Sequence, residues 1–193
     1  MDCEVSSKQG FDAENPGELV LPETLDGLAY CPGSITLKPF HRLAKDDFLK
    51  ELEINLFGAI EVLKQAMQPL KKSGSGSVVL FSTIAVETGM PFHASIAAAK
   101  GALEGLARSL AAEWAPSVRV NVIAPSLHET PLAHSLVGDE KRRAAAMERH
   151  PLKSVGKAED AAALAHFLLG KESAFITGQT LRPDGGLSSL RLF

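Results

Sequence analysis

Along this chain, apolar residues follow two rhythms from residue 25 onward. Short unbroken apolar runs alternate with stretches in which apolar residues recur every three or four positions. The first rhythm suits buried strands and the second suits helices packed along one face. LDGLAYC (25–31) reads as a buried strand stopped by Pro32-Gly33, because proline cannot donate to a ladder and glycine permits a tight turn. Phe48, Leu52, Leu56, Ala59, Leu63 and Met67 follow at helical spacing, with Asp46 and Asp47 placed against the N-terminal end of the dipole. Pro69 is expected to end or kink that helix. SGSGS (73–77) is a flexible turn into VVLF (78–81), an apolar run without alternation and so a strand covered on both faces.

Residues 95–114 are helical by composition. Leu103, Leu106 and Leu110 supply an apolar stripe, and Ala97, Gly101 and Gly105 align as a smooth face that lets another helix or subunit approach. VRVNVIAP (118–125) is a further strand ending at proline, and 131–149 reads as a mobile, charged helical excursion over the strand ends. A short helix over 161–169 closes at Gly170, and FITGQTL (175–181) is the last strand before RPDGG. The order is therefore β-α-β-α-β-(α)-α-β, which implies a parallel sheet with helices on both faces and a ligand edge at the strand C-termini. Residues 1–24 contain no complete strand–helix pair and form an irregular N-terminal segment, leaving 25–193 as the folded domain.

Composition narrows the class. The chain has 193 residues, is 45% hydrophobic and carries a formal net charge of −3, which fits one globular domain with a substantial core. No basic block points to nucleic acid, and no apolar run is long enough to span a membrane. The polar start MDCEVSSKQG lacks the core of a signal peptide. Cys3 and Cys31 are too few for a disulfide framework or a zinc site, and the six histidines show no metal-ligand spacing. A cytoplasmic, reduced protein is the expectation. Gly185 and Gly186 read as a tight turn, and SGSGS lacks the lysine and strand–helix placement of a phosphate loop.

Several polar residues interrupt this pattern. Asn55 falls on the apolar stripe of its helix, where a buried amide costs about 1–3 kcal/mol unless it is hydrogen-bonded. It either bridges the helix to a neighbouring strand or holds a water or a lysine. Ser82 and Thr83 follow directly from VVLF, at the ligand edge or as turn formers. Lys100 lies among alanines near a helix start, and His93 stands just before it. Histidine is a residue type able to transfer protons near neutrality.

Taken in order, these segments resemble the short-chain dehydrogenase/reductase family over residues 25 to 188. YCPG (30–33) is similar to the family's Asn-Asn-Ala-Gly turn, with three residues replaced. INLFG (54–58) is similar to the helix carrying its active-site asparagine, and VVLFST (78–83) to the strand ending in its catalytic serine. IAPSLHETP (123–131) and ITGQTLRPDGG (176–186) are similar to the nicotinamide loop and the closing strand. The resemblance implies a Rossmann-like, doubly wound three-layer α/β/α fold. It also implies hydride transfer between NAD or NADP and a small carbonyl, alcohol or activated alkene.

Carried over residue by residue, the resemblance makes Lys100 the ribose-binding lysine and Asn55 its support. Thr83, with Ser82 beside it, takes the serine position. Gly33, Pro125, Ser126, Leu127 and Thr130 join Asn55 and Lys100 in flanking the cofactor. No metal is implied.

The family's tyrosine lies four residues before the lysine, where this chain has Ile96, which can neither donate nor accept a proton. Enoyl reductases related to the family place it seven before, which lands on His93, the candidate proton donor here. Tyr30, the sole tyrosine, is a weaker candidate. The family's N-terminal pattern Thr-Gly-x-x-x-Gly-x-Gly, which anchors the pyrophosphate, does not occur in this sequence. The domain accordingly reads as an N-terminally truncated version of the fold, expected to leave an apolar sheet edge open. Two readings follow: a piece of a full-length reductase-like protein, or a catalytically inactive paralogue acting through subunit association. Helices 46–68 and 95–114 resemble those by which family members oligomerise, implying a homo-oligomer or pairing with a full-length relative.

Overall fold

The computed structural model describes residues 9–191; Cys3 and the polar start of the chain lie outside the described residues. Four parallel strands form the main sheet in the order β1 (Gly27–Tyr30), β2 (Gly76–Phe81), β3 (Val118–Ile123) and β6 (Thr180–Leu181). A second, two-stranded parallel pair joins β4 (His128–Glu129) to β5 (Gly156–Lys157). Helices α1 (Lys45–Leu52) and α2 (Gly58–Ser73) are joined by a π-helical turn over Glu53–Phe57. The others are α3 (Ala85–Thr88), α4 (Ala94–Trp114), α5 (His134–Val137), α6 (Glu140–Arg149) and α7 (Ala158–Leu169).

The sheet is covered on both faces, which explains the missing alternation in β2. Val78 and Leu80 pack with Ala59, Leu63, Leu70, Leu103, Ala107 and Trp114, whereas Val79 packs with Ile123, Ala165 and Leu168. The result is a Rossmann-like α/β/α sandwich. β3 divides its residues the same way, with Val118, Val120 and Val122 on the first face. On the other face, Arg119 donates to the carbonyls of Leu168 (2.9 Å), Gly170 (3.0 Å) and Ser173 (3.0 Å). Those acceptors lie at and beyond the C-terminal end of α7, where helix carbonyls lack intrahelical donors.

Several elements depart from the sequence pattern. Pro69 neither ends nor divides α2, which continues to Ser73 and is closed by Gly74 at φ 74°. Its carbonyl accepts from Leu25 N–H at 3.1 Å. The last strand is reduced to Thr180–Leu181 because Gly178, at φ 68°, turns the preceding segment out of the ladder. That segment is held by the Asn121 side chain, which donates to Ile176 O (2.9 Å) and accepts from Gln179 N (3.1 Å). The charged excursion resolves into the short helix α5 and the longer α6, and the paired strands β4 and β5 that flank it in sequence carried no sequence signal. On α4 only Leu103 of the expected leucine stripe is fully buried; Leu106 and Leu110 are partly buried.

Residues 9–26 contain no helix or strand, yet they are seated. Gln65 of α2 accepts from Leu19 N–H and donates to Gly17 O, both at 2.8 Å. Leu19, Leu21 and Leu25 pack on the core, and Phe11 meets Tyr30 edge-on at 6.4 Å. Among the described residues β1 pairs only with β2, and Ala29 on it is exposed. No helix of the described residues is long and apolar enough to cross a membrane.

Candidate functional site

The site builds up at the C-terminal ends of β1 and β2. The loop leaving β1 passes Gly33 so close that a Cβ there would lie 3.2 Å from Asn55 Oδ1 and 3.7 Å from Lys100 Nζ. Three residues from three elements therefore converge where the fold places ligands. Lys100 is 7% exposed and donates to Phe81 O, the last residue of β2, at 2.7 Å. Burial pulls its pKa down to about 8, against the charge of Glu51 and, less strongly, Cys31.

Asn55 is fully buried and sits inside the π turn. Single π turns within α-helices shift the hydrogen-bond register and recur at functional sites. Asn55 Nδ2 lies within bonding distance of Glu51 O (2.9 Å), Glu51 Oε2 (2.9 Å) and Ser34 Oγ (3.0 Å). Its Oδ1 accepts from Ser34 N–H at 3.4 Å. The amide thus ties the helix to the loop after β1 rather than to a strand, and among the described residues no hydrogen bond joins it to Lys100.

The two hydroxyls after β2 have different surroundings. Ser82 is buried and donates to Glu104 of α4 at 2.6 Å. Thr83 is half-buried, and its Oγ1 accepts from Ala85 N–H at 3.3 Å, which leaves its proton to donate elsewhere. Ile96 is 3% exposed, an alkyl group packed in the interior of α4. His93 is the residue capping α4, with Nδ1 2.7 Å from Pro91 O, so Nε2 is the nitrogen left to face a ligand. Tyr30 is removed from consideration. It is 3% exposed, its hydroxyl donates to Ile54 O at 2.8 Å, and burial pushes its pKa up to about 12.

The loop 125–130 borders the same edge. Pro125 O accepts from Ile84 N–H (3.2 Å), and Leu127 O accepts from Gly156 N–H (3.2 Å). Ser126 Oγ meets His150 Nε2 at 2.9 Å, and Thr130 Oγ1 accepts from Ala133 N–H at 3.3 Å. An open cleft lies beyond Thr130, between Glu129, Pro131, His134 and Arg143. Lys100, Asn55 and Gly33 are not part of its wall.

A family profile described as enoyl-(acyl carrier protein) reductase matches residues 18–188. The chain belongs to the short-chain dehydrogenase/reductase superfamily. It is 39% identical to a tropinone reductase homolog of Arabidopsis thaliana over 157 residues, covering 81% of this chain and 60% of that protein. A second Arabidopsis homolog is 36% identical over 190 residues, covering 96% and 70%. Among solved structures, a gluconate 5-dehydrogenase from Burkholderia cenocepacia in complex with NADP and tartrate superposes with TM-score 0.82 at 30% identity, covering 87% of this chain and 66% of that one. An aldohexose dehydrogenase from Thermoplasma acidophilum, ligand-free, gives TM-score 0.82 at 27% identity, covering 88% and 70%. The chain therefore spans 60 to 70% of the length of these superfamily members.

Sequence reasoning singled out Lys100, Asn55 and Gly33 separately, and the fold brings them together. It missed Glu51 and Ser34, which complete the same polar cluster. Glu51 had one available signal: it lies four residues before Asn55 and so on the same helical face.

Proposed function

We propose that this chain carries the reaction end of an oxidoreductase that moves hydride between NAD(P) and a small carbonyl, alcohol or activated alkene. The observation that carries the reading is the convergence of Gly33, Asn55 and Lys100 at the C-terminal ends of β1 and β2. The residues suit the nicotinamide-ribose end of the cofactor. Gly33 keeps the floor free of a side chain, and Lys100 Nζ spends one donor on Phe81 O, leaving others for ribose hydroxyls. When bound, the cofactor supplies or accepts the hydride.

In this reading Lys100 binds the ribose and Asn55 holds the loop that borders it. Thr83 donates to the reacting oxygen, and Ser82, locked onto Glu104, sets the direction in which the chain leaves β2. Residues 125–130, with Pro125, Ser126, Leu127 and Thr130, flank the nicotinamide. His93 delivers the proton from Nε2, in the role that Ile96 cannot fill. Calorimetry with NAD(H) and NADP(H) at millimolar concentration tests the binding; no heat with either would sink the reading for this chain. If turnover is found, His93→Ala should depress the rate and change its pH profile, and an unchanged rate and profile would reject His93.

A second reading, a catalytically inactive subunit, draws on α4. A Cβ added at Gly105 would meet nothing within 4 Å, whereas one at Gly101 would meet Val86 at 3.7 Å, so the small-residue face of this helix is open at its Gly105 end. Mass measurement of the chain alone and mixed with a full-length superfamily member tests it; a strictly monomeric mixture rejects association.

A further inference from the structure

Glu51 is the one residue of the polar cluster whose chemistry remains unspent. Its side chain is completely buried. Ser34 Oγ–H donates to Oε2 at 2.7 Å and Asn55 Nδ2 approaches the same oxygen at 2.9 Å, while Oε1 is buried with no hydrogen-bond partner. A fully buried carboxylate oxygen without a donor is costly, so it persists where a charge or a bound group compensates it. The compensating charge is close: α1 packs against α4, and Lys100 projects from α4 with its charged form favoured by Glu51. Among the described residues, Nζ makes a single hydrogen bond, to Phe81 O, and an ammonium has three donors. An unspent acceptor on the residue that meets Asn55 and unspent donors beside Gly33 therefore belong to one cluster.

We propose that Glu51 is a positioning residue for Lys100: a buried counter-charge, aimed by Ser34 and Asn55, whose free Oε1 reaches the ammonium through one bridging water. Glu51 keeps Lys100 protonated and turned toward Gly33, acting through its charge alone, with no bond made or broken. The counter-charge stands on the geometry of the free protein, and its part in a reaction rests on the oxidoreductase reading above. The titratable groups facing Lys100 are Glu51 from α1 and Cys31 from the loop after β1.

The test is an NMR titration of lysine ε-carbons in 13C-lysine-labelled protein. Cys31 is replaced by serine throughout, so that its thiol cannot produce the step, and the Lys100 signal is identified by its loss in Lys100→Met. Glu51→Gln keeps the shape and removes the charge, and should lower the Lys100 midpoint by about one pH unit. Ser34→Ala removes one of the two groups that aim the carboxylate and keeps the charge, and should displace the midpoint by less than Glu51→Gln does. An unmoved midpoint in Glu51→Gln, or an equal displacement in Ser34→Ala, overturns the proposal.

Should Glu51→Gln not fold, the protein with its native Glu51 decides: its carboxyl carbon, labelled separately with 13C-glutamate, must show a step in chemical shift where Lys100 loses its charge. A Lys100 inflection without that step overturns the proposal. The measurement needs neither cofactor nor turnover, so a failure of NAD(P) binding leaves its outcome distinct.

Discussion

Lys100→Met should change how the stability of this protein responds to pH. Lys100 is buried, and its pKa lies at about 8 rather than 10.5, chiefly through desolvation of the ammonium. Below pH 8 the folded and unfolded chains both carry the proton, and the folded state bears the full cost of burying it. Between about 8 and 10.5 the folded chain releases the proton while the unfolded chain keeps it, so stability rises with pH. Above 10.5 the effect is spent. A displacement from 10.5 to about 8, at about 1.4 kcal/mol per pH unit, corresponds to about 3 kcal/mol.

Methionine has no charge to bury, so the variant should lack this rise. Urea unfolding of both proteins at intervals from pH 7 to pH 10, in a Cys31→Ser background, measures the difference. The native lysine should gain most of that 3 kcal/mol relative to methionine over this window. The offset at any single pH also contains the loss of the bond to Phe81 O, so the slope carries the test. Parallel stability curves would refute a desolvated, charged Lys100.

Two further substitutions probe the scaffold. Gly58→Ala places a Cβ 2.3 Å from Ala13 O and 2.5 Å from Tyr30 Oη, and should cost about 1–3 kcal/mol in urea unfolding as the segment 9–26 is pushed off α2; unchanged stability would show that the segment is not seated there. Arg119→Met removes a guanidinium that joins three carbonyls at the end of α7, each of which keeps a second donor, and should lower stability by about 1 kcal/mol; a variant as stable as the native protein would mean that those second donors suffice.

Much of the frame was readable because burial on both faces leaves a mark on composition. VVLF and VRVNVI are apolar where helices cover both sides of a strand, and 95–114 is rich in helix formers. The candidate site was readable only as separate letters. Lys100 looks like an ordinary helical lysine until α1 and the loop after β1 close over it. Glu51 looks like a solvated glutamate in a charged stretch, and nothing local reports that its carboxylate is sealed. The π turn at Asn55 has no local signature either, since one changed hydrogen-bond register is decided by what the side chains must reach. Pro69 shows the same limit from the other side: a strong local breaker sits inside a helix held by packing along its length.

By itself, the order of apolar runs and periodic stretches determined a parallel α/β sheet, because the two periods are properties of the backbone and need no partner. The motif letters determined which superfamily to expect and which residue, Ile96, departs from it. Tertiary structure alone decided that Gly33, Asn55 and Lys100 meet, that Tyr30 is spent on Ile54, and that Glu51 faces inward with its Oε1 unpartnered. Those outcomes depend on distances between residues far apart in the chain, and a buried charge takes its meaning from what surrounds it.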